Sequence, residues 1–451
     1  MCANEFNENL NVDLDSVLQL DAKAIYELHQ NYLNPMLSKF FKFLGLNIRV
    51  SKAKGIYITD PEGVKYMDFL SGYCVLNLGH EPDAVIDALR KVENYPNILL
   101  VPNPFAGKLA EILAKVTPGS LSHTFFCNSG SEAVEAAIKI ARASTGREIL
   151  LYTQNSFHGK TCGSLSVTGK EKYQEPFKPL LPGTKCIPYN DIGSLETALK
   201  EKNVAAFILE PIQGEAGVII PDNGYLKECE RLCKKNKVLF IVDEIQTGLG
   251  RTGKLFCSNY EDLEPDVMCL SKSLGGGVMP IGAMITTEKI WKKAYGSLDT
   301  CGLHTSTFNN NTRACACGIA AMNEIIKSDY IENARVQGEY LLAKLKLLEQ
   351  KYSIIHDVRG KGLMIGVTFP AFKGNTSVSD GGIASMVVRH LLSKHKILVT
   401  FTINNLNVVR ISPPLFVSRD QIDIFLEALE DSIKKTLVFS KIGLTKKQEK
   451  A

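Results

Sequence analysis

Lys272 and Asp243 are the two residues of this sequence whose positions most directly suggest chemistry. Lys272 follows the apolar run Val267–Leu270, and Asp243 ends another apolar run that begins at Val238. Both runs are typical of buried strands, and an apolar core rejects a charged group unless that group is paired or has a task. Pyridoxal phosphate needs an amine for its covalent attachment and an anion opposite its ring nitrogen. A lysine and an aspartate at two strand ends therefore predict a site for this cofactor.

Three further segments with candidate ligands follow apolar runs. Residues 128–133 predict a turn that opens a helix, where small residues would let backbone N–H groups approach a phosphate. A helix-capping box is the simpler explanation of these residues on their own. Residues 156–160 place Phe157 where it could stack on a flat cofactor, although a lone phenylalanine usually belongs to a core.

The third segment, residues 210–215, adds two glutamates after a strand. Each segment is a weak indication alone, because a cap, a core aromatic or a surface lysine would explain it. Together they indicate one ligand site, since ligands of open α/β sheets bind beyond the carboxyl ends of the strands.

The segments that would position these residues alternate between short apolar runs and helical patterns. The runs cover residues 124–127, 149–152, 205–209, 238–242 and 267–270. Because they are apolar throughout and helical stretches separate several of them, they predict a mostly parallel sheet covered by helices. We expect an α/β protein whose large cofactor-binding domain spans residues 98–327.

The two ends of the chain are expected to form a smaller α/β domain. Residues 1–97 combine an amphipathic helix over 17–32 with a strand near 56–59 that enters a Pro/Gly turn. Residues 328–451 carry an amphipathic helix, strands around 362–367 and 408–411, and a final helix over 421–435. We see no internal repeat, low-complexity tract or long linker.

The composition limits the candidate partners. The chain has 451 residues, of which 45% are hydrophobic, enough for a large core and more than one domain. A formal net charge of +4 argues against nucleic acid or a membrane as an electrostatic partner. We also see no apolar run long enough to span a bilayer.

The cysteines and the N-terminus bear on the compartment. Many of the 12 cysteines lie in apolar or helical stretches, which is typical of free thiols in a reducing compartment. They have no histidine partners at the spacing of a zinc site, so we expect no metal. Residues 1–11 are polar and acidic, which does not support a secretory or mitochondrial presequence, and we expect a cytoplasmic protein.

Taken together, these residues make the sequence similar to the class III (ω-amino acid) aminotransferases, pyridoxal-phosphate enzymes of fold type I. The similarity runs from about Tyr32 to the C-terminal helix. Residues 275–283 resemble putrescine and ornithine aminotransferases in particular. The other motifs that carry the resemblance are residues 128–133, 157–159, 210–217, 243–248, 250–253, 271–272 and 307–308, and Arg410 before residues 413–415.

The resemblance implies which residues bind the cofactor. Lys272 would attach it covalently and then move the proton as a general acid and base. Asp243 would keep the pyridine nitrogen protonated, and Gln246 would hydrogen-bond the phenolic oxygen. The other residues implied are Gly130 and Ser131 at the phosphate, Thr307 at the same phosphate from a neighbouring subunit, Phe157 on the ring face and His158 beside it. The active enzyme is therefore expected to be at least a homodimer.

The resemblance also implies four substrate-binding residues. Arg410 would bind the carboxylate of the 2-oxo acid, and Glu215 would pair with Arg410 when a terminal amine enters instead. A purely structural Arg–Glu pair is the alternative. Lys160 stands where ornithine aminotransferases carry an arginine and putrescine aminotransferases a lysine, so it favours a diamine. Tyr73 matches a tyrosine of the ornithine enzymes and favours ornithine.

One departure from the family follows Thr307 and Phe308. Residues 309–311 are Asn-Asn-Asn, where the family usually has Gly-Gly-Asn. Asparagine adopts left-handed backbone more readily than most residues but less readily than glycine. The sequence therefore does not determine the backbone conformation around Thr307.

The sequence thus predicts an aminotransferase that moves a terminal amino group from a putrescine-like diamine or ω-amino acid to a 2-oxo acid such as 2-oxoglutarate, in two ping-pong half-reactions. Ornithine, acetylornithine and 4-aminobutyrate are the alternative donors. A racemase or aminomutase of the same fold would use the same lysine without net amino transfer. A cofactor-binding regulator without catalysis is poorly supported, because every chemical residue is present and no DNA-binding appendage is visible.

Overall fold

The computed structural model describes residues 12–371 and 381–448, with side chains described as far as residue 438. Residues 1–11, on which the expectation of a presequence-free N-terminus rests, lie outside the described residues. The strands are, in chain order, β1 (Lys52–Lys54), β2 (Tyr57–Thr59), β3 (Lys65–Asp68), β4 (Leu121–Cys127), β5 (Ile149–Thr153), β6 (Thr184–Ile187), β7 (Val204–Leu209), β8 (Leu239–Asp243), β9 (Val267–Leu270), β10 (Gly282–Thr287), β11 (Asp357–Lys361), β12 (Met364–Thr368), β13 (Ile397–Leu398), β14 (Thr400–Phe401) and β15 (Val408–Ile411).

The helices connect and cover these strands. They are Leu14–Leu18, Ala22–Tyr32, Pro35–Leu44, Ser71–Cys74, Asp83–Lys91, Pro104–Val116, Gly130–Thr145, Cys162–Ser166, Glu171–Gln174, Ile192–Ala198, Tyr225–Asn236, Glu288–Tyr295, Thr312–Lys327, Tyr330–Lys351, Gly382–His395 and Arg419–Gln448, with 3-10 turns at Glu175–Phe177, Cys257–Tyr260 and Lys272–Gly275. No helix of residues 12–371 and 381–448 is long and apolar enough to cross a membrane.

The central sheet has seven strands in the order β4-β10-β9-β8-β7-β5-β6. Neighbouring strands from β9 to β6 are parallel, and β10 runs antiparallel to both β4 and β9. Every residue of β7 and of β9 is buried, as expected for strands covered on both faces. The prediction of an α/β fold with a mostly parallel sheet is confirmed.

Each apolar run identified in the sequence lies in a strand of this sheet, but two strands had no such signal. The edge strand β6 is half exposed and contains Thr184 and Lys185, so its sequence is not continuously apolar. The buried strand β10 begins at Gly282 and ends in two threonines. This segment is identified as a strand only by its backbone pairing with β4 and β9.

A smaller unit is built from both ends of the chain. Its sheets have the orders β1-β2-β3-β13 and β11-β12-β15-β14, and β3 pairs in parallel with β13 through Met67 and Ile397. One hydrophobic core contains residues from both ends, and the rings of Phe69 and Phe425 stack with centroids 4.5 Å apart. The structure thus has the expected smaller sheet domain, while the boundaries at residues 97 and 327 stay a prediction.

The prediction of one continuous helix over residues 17–32 is wrong. The chain forms Leu14–Leu18 and Ala22–Tyr32, separated by a short break. Asp21 causes a new start, because its carboxylate accepts a 2.7 Å hydrogen bond from the Ala24 N–H. An aspartate at this position is a strong helix N-cap, and the local cap competes with the amphipathic pattern.

The buried side chain of Arg251 joins the two units. Its Nε and Nη2 donate to Asn77 Oδ1 at 3.2 and 2.6 Å, and its Nη1 donates to the carbonyls of Leu363 and Pro413 at 3.0 and 2.6 Å. Arg251 has no exposed surface. One guanidinium therefore ties the segment after β8 to both ends of the chain.

We predict that Arg251→Met lowers the melting temperature by about 5 °C or more, because buried acceptors would lose their donors. Arg335→Met is the matched control. Arg335 is partly exposed and pairs with Glu332 and Glu339, and solvent-exposed pairs contribute little to stability. Differential scanning fluorimetry of both variants would measure the shifts, and equal shifts would contradict the joining role.

Candidate active site

Residues at the carboxyl ends of β4, β8 and β9 gather around a cavity of about 200 Å³. Asp243 is the last residue of β8, and Lys272 lies just beyond β9. The parallel direction of β8 and β9 brings both ends to the same edge of the sheet. The predicted cofactor-binding residues that line the cavity are Gly130, Ser131, Phe157, His158, Asp243, Gln246 and Lys272.

Lys272 begins a short 3-10 turn with left-handed backbone, at a φ of 45°. This conformation costs a non-glycine residue roughly 1–2 kcal/mol, so the surroundings must hold it. The neighbouring Ser271 Oγ donates a 2.8 Å hydrogen bond to the Ile281 carbonyl and fixes the strand end. The strained turn is consistent with a functional lysine, since such strain is concentrated at functional sites.

Asp243 and His158 form a buried pair. His158 Nδ1 lies 2.7 Å from Asp243 Oδ2, and Asp243 Oδ1 accepts a 3.0 Å hydrogen bond from the Ile245 N–H. The His158 Nε2 atom is buried and has no hydrogen-bond partner among the described residues. A fixed carboxylate of this kind can hold a proton on a ring nitrogen that enters the cavity.

The turn at residues 128–131 is both a helix cap and a lining of the cavity. Ser129 Oγ accepts a 3.2 Å hydrogen bond from the Glu132 N–H, and Glu132 Oε2 accepts one of 2.6 Å from the Asn128 N–H. Ser129 thus makes one half of a capping box, while Glu132 binds the N–H of Asn128, one residue before the N-cap. A Cβ on Gly130 would lie 2.9 Å from Ile245 Cδ1, so a larger residue there would require the Ile245 side chain to shift. The remaining N–H groups of this helix start suit an anion.

Glu210 holds two loops of the site. Its carboxylate oxygens accept hydrogen bonds from the Phe157 N–H at 2.8 Å and the Gly214 N–H at 3.2 Å. Burial raises the pKa of Glu210 to about 7, with Asp243 adding to the rise and His158 opposing it. One carboxyl group therefore positions both the aromatic residue and the turn that carries Glu215.

Glu215 and Arg410 form a buried ion pair, with Arg410 Nη2 2.6 Å from Glu215 Oε2. Burial raises the pKa of Glu215, but the charge and hydrogen bonding of Arg410 outweigh it and lower the pKa to about 2. Burial lowers the pKa of Arg410, and Glu215 reverses this to a net rise. The pair is charged on both sides at neutral pH.

Arg410 has no exposed surface, and apart from the Nη2–Glu215 contact its guanidinium is unpaired, because Nε and Nη1 have no hydrogen-bond partner among the described residues. The Tyr73 ring lies near it, 5.5 Å from the guanidinium carbon. A buried guanidinium with unmet donors is costly by itself. It is well suited to a carboxylate, which can accept two parallel hydrogen bonds from it.

A strained turn presents Tyr73. Ser71, Tyr73 and Cys74 have positive φ values of 49°, 61° and 69°, as does the intervening glycine. Asp68 holds this turn, because its Oδ1 accepts 2.8 Å hydrogen bonds from the N–H groups of Leu70 and Ser71. The tyrosine position is therefore imposed by β3, which ends at Asp68.

Gln246 and Lys160 occupy different depths of the site. Gln246 Nε2 donates a 3.1 Å hydrogen bond to Glu215, and its buried Oε1 has no partner among the described residues. Lys160 is exposed, with its ammonium 4.6 Å from the centre of the Tyr173 ring and 5.8 Å from that of Phe157. Lys160 thus lies at the edge of the site and does not line the cavity.

Thr307 also does not line the cavity and is exposed in the single chain. The asparagines after it adopt the geometry that the sequence left open. Asn310 takes a left-handed φ of 54°, and the Asn311 side chain caps the helix Thr312–Lys327 by accepting from the Ala314 N–H at 3.0 Å. Asparagine can fill both positions because its short amide tolerates left-handed backbone and caps helices.

Five lining residues carry no role in the site predicted from the sequence, namely Ser129, Gly159, Glu210, Ile245 and Ser271. Glu210 and Ser271 lie in recognised motifs, at the end of an apolar run and directly before the key lysine. These positions within the motifs were the sequence signal that could have identified Glu210 and Ser271 as site residues. Ile245 offers none, because an isoleucine two residues after a strand end is ordinary core.

The donor set fits pyridoxal phosphate. The cavity combines a strand-end lysine, a buried carboxylate, an aromatic side chain and a helix start. Two of its buried polar atoms, His158 Nε2 and Gln246 Oε1, have no protein partner among the described residues. Buried polar groups normally have partners, so a polar ligand here would complete them.

One group of metal-binding residue types lies outside this cavity. The donor atoms of His390, His395 and Asp431 lie within 4.8 Å of one another. His395 Nε2 contacts Asp431 Oδ2 at 2.8 Å, and His390 Nδ1 contacts Ser432 Oγ at 3.0 Å. These hydrogen bonds are sufficient to explain why the three side chains lie close together. The expectation of a metal-free active site stays a prediction.

Comparison with known proteins gives one consistent family. The family model for "Aminotransferase class-III" matches residues 44–433. The aminotransferase PigE of a Serratia species is 37% identical over 461 residues, covering 92% of this chain and 54% of PigE. The chain therefore spans about half the length of this curated relative.

Two solved structures agree with this family in fold. The ornithine aminotransferase of Toxoplasma gondii, a structure with partial occupancy of pyridoxal phosphate at its active site, has a TM-score of 0.84 and 30% identity, covering 95% of this chain and 98% of that one. The acetylornithine aminotransferase of Elizabethkingia anophelis has a TM-score of 0.76 and 29% identity, covering 92% and 100%. The chain therefore belongs to the class III aminotransferases, the pyridoxal-phosphate-dependent transaminases of fold type I.

Proposed function

We propose that this aminotransferase takes a terminal amino group from a diamine or ω-amino acid of the putrescine type and passes it to a 2-oxo acid such as 2-oxoglutarate. Amine and oxo-acid substrates follow from the family. The donor and acceptor named here are our inference from the site. Ornithine is the second candidate donor, and Tyr73 beside Arg410 is the observation that favours it.

The buried Glu215–Arg410 pair is the observation that carries the proposal. With Glu215 over it, the Arg410 guanidinium is neutralised, and the site can accept an amine without leaving a buried unpaired charge. If Glu215 moves aside, the unmet donors of Arg410 become available to the carboxylate of an oxo acid. One site could thereby serve both half-reactions.

Lys160 supports a donor without an α-carboxylate. Its ammonium lies over the Tyr173 ring, and lysine lacks the planar fork with which an arginine would hold a carboxylate. Glu215 adds a negative charge beside Lys272, close enough for Lys272 to lower the pKa of Glu215. We infer that this charge attracts an amine substrate.

We assign roles to the chain's residues as follows. When bound, pyridoxal phosphate supplies a ring that withdraws electrons from the carbon losing its proton. Lys272 Nζ would attach the cofactor and then carry the proton between the amine-bearing carbon of the substrate and the cofactor carbon bonded to the same nitrogen, and Asp243 would hold the proton on the ring nitrogen. Phe157 covers the ring, with His158 orienting Asp243. The remaining contacts are Gln246 at the phenolic oxygen and Gly130 and Ser131 at the phosphate.

We further propose that the enzyme is a homodimer whose phosphate site is completed across the interface by Thr307. Thr307 is exposed in the single chain, and exposed apolar side chains lie near it in sequence, including Leu298, Leu303 and Phe308. Exposed large apolar residues clustered in one segment often mark an interface between subunits.

The donor assignment is tested by mixing the holoenzyme with one amine at a time, without oxo acid, and following the cofactor absorbance. We expect putrescine to change the spectrum faster than ornithine or 4-aminobutyrate, because Lys160 is not a planar clamp for a donor carboxylate and Glu215 covers the guanidinium of Arg410. Lys272→Ala is the control and should give no amine-dependent turnover. A faster reaction with ornithine would instead establish ornithine as the donor.

For Arg410, we predict that Arg410→Lys raises the Michaelis constant for the oxo acid by roughly tenfold or more, since lysine retains the charge but cannot make two parallel hydrogen bonds. The Michaelis constant for the amine donor should change by less than about threefold. Steady-state kinetics with 2-oxoglutarate and the amine varied in turn would give both constants. Equal changes in the two constants would mean that the pair has only a structural role.

For Thr307, we predict that Thr307→Ala weakens pyridoxal phosphate binding by roughly tenfold, because a phosphate would lose one hydrogen bond. Thr305→Ala is the matched control, as Thr305 is exposed in the same loop. Equilibrium dialysis would measure binding, and sedimentation velocity would measure the oligomeric state. If the enzyme is a monomer in solution and still binds pyridoxal phosphate with full affinity, the phosphate site is not shared between two subunits.

A further inference from the structure

A second cavity lies at the edge of the central sheet opposite the active site. Its volume is about 530 Å³, and Val238 and Leu239, at the start of β8, form part of its wall. Because Leu239 begins the strand that Asp243 ends, the two cavities lie at opposite ends of the same strand. We call it the basic cavity, after the five cationic residues that line it, Arg147, Lys234, Lys237, Lys289 and Lys293.

The charges around the basic cavity are unbalanced. Asp266 is the one acid that lines it, and its Oδ2 already accepts a 2.9 Å hydrogen bond from the Phe240 N–H. Within the described part of the chain, none of the five cations has a carboxylate oxygen at ion-pair distance. By contrast, the nearby Lys227 and Lys292 are paired with Glu230 and Glu288.

The Arg147 guanidinium is a fixed part of the wall of the basic cavity. Its Nη1 donates hydrogen bonds to the carbonyl of Val204 at 3.0 Å and to that of Lys237 at 2.8 Å. These contacts join the starts of β7 and β8, so the guanidinium charge does not depend on a mobile side chain. Lys234 lies on the helix Tyr225–Asn236, Lys237 directly follows that helix, and Lys289 and Lys293 lie on the helix Glu288–Tyr295.

The start of the helix Glu288–Tyr295 adds to the same field. Thr287 caps this helix by accepting a 3.3 Å hydrogen bond from the Ile290 N–H, and Thr287 lines the basic cavity. A helix start carries partial positive charge and favours an anion. It therefore reinforces the charge of the lysines.

We propose that the basic cavity binds a small multivalent phosphoryl anion, such as pyrophosphate or a metabolite that carries more than one phosphate. Like charges that converge without counter-ions repel one another, and a multivalent anion relieves that repulsion at several lysines together. Lysine is a common phosphate ligand because its ammonium acts as a compact charge. The concave shape favours a small molecule over a membrane surface, which would meet the lysines on a flat face.

Titration calorimetry of the cofactor-saturated holoenzyme with pyrophosphate at low ionic strength tests the proposal. We expect saturable binding, weakened at least about tenfold in the double variant Lys234→Gln/Lys289→Gln. Lys235→Gln/Lys292→Gln is the matched control. It removes the same charge from the same two helices at lysines that do not line the basic cavity, and we expect a change of less than about threefold.

Several results would overturn the proposal. These are no binding at millimolar pyrophosphate, equal losses in the two double variants, or pyrophosphate binding by the apoenzyme that competes with loading of one equivalent of pyridoxal phosphate, which would place the anion in the active site. Binding of vesicles that contain phosphatidylinositol phosphates without any binding of pyrophosphate would assign the surface to membranes instead. The rates of the donor half-reaction are measured in parallel. They show that both double variants are folded, and they do not depend on anion binding.

Discussion

The shared direction of β5, β7, β8 and β9 is the constraint on which the active site depends. Parallel strands end at one edge of a sheet, so residues separated by long stretches of sequence meet there without any further requirement. Asp243 and Lys272 are close because β8 and β9 are hydrogen-bonded neighbours. The antiparallel strand β10 then closes the sheet against β4, and the capped turn at Gly130 joins the same edge.

The polar groups at this edge are buried, and pairing makes that burial tolerable. His158 lies against Asp243, Glu210 accepts two backbone N–H groups, and Glu215 neutralises Arg410. An isolated charge in these positions would cost several kcal/mol. The pairs are incomplete, however, since His158, Gln246 and Arg410 each retain polar atoms without partners among the described residues. A stable site whose buried polar atoms lack hydrogen-bond partners is well suited to bind polar ligands.

The smaller unit supplies the residues that we propose select the substrate, rather than those proposed for the central chemistry. It supplies Arg410 from β15, which pairs with the cavity-lining Glu215, and Tyr73 from the left-handed turn after β3, which lies beside Arg410. Arg251 fixes the relative position of these segments through four hydrogen bonds. Changes in substrate preference within this fold can therefore arise in the smaller unit while Asp243 and Lys272 keep their places.

The sequence by itself determined the class of fold, the family and most of the residues that line the cavity at the ends of the strands. Buried strands such as β7 and β9 are apolar along their whole length, and Lys272 and Asp243 are marked by the runs before them, so local patterns were sufficient. The tertiary structure decided what depends on distant contacts. The strand β10 is defined by its neighbours, the Glu215–Arg410 pair joins residues far apart in the chain, and the basic cavity collects lysines from separate helices. Periodicity reports which face of one element is buried, but it carries no information on which other element packs there.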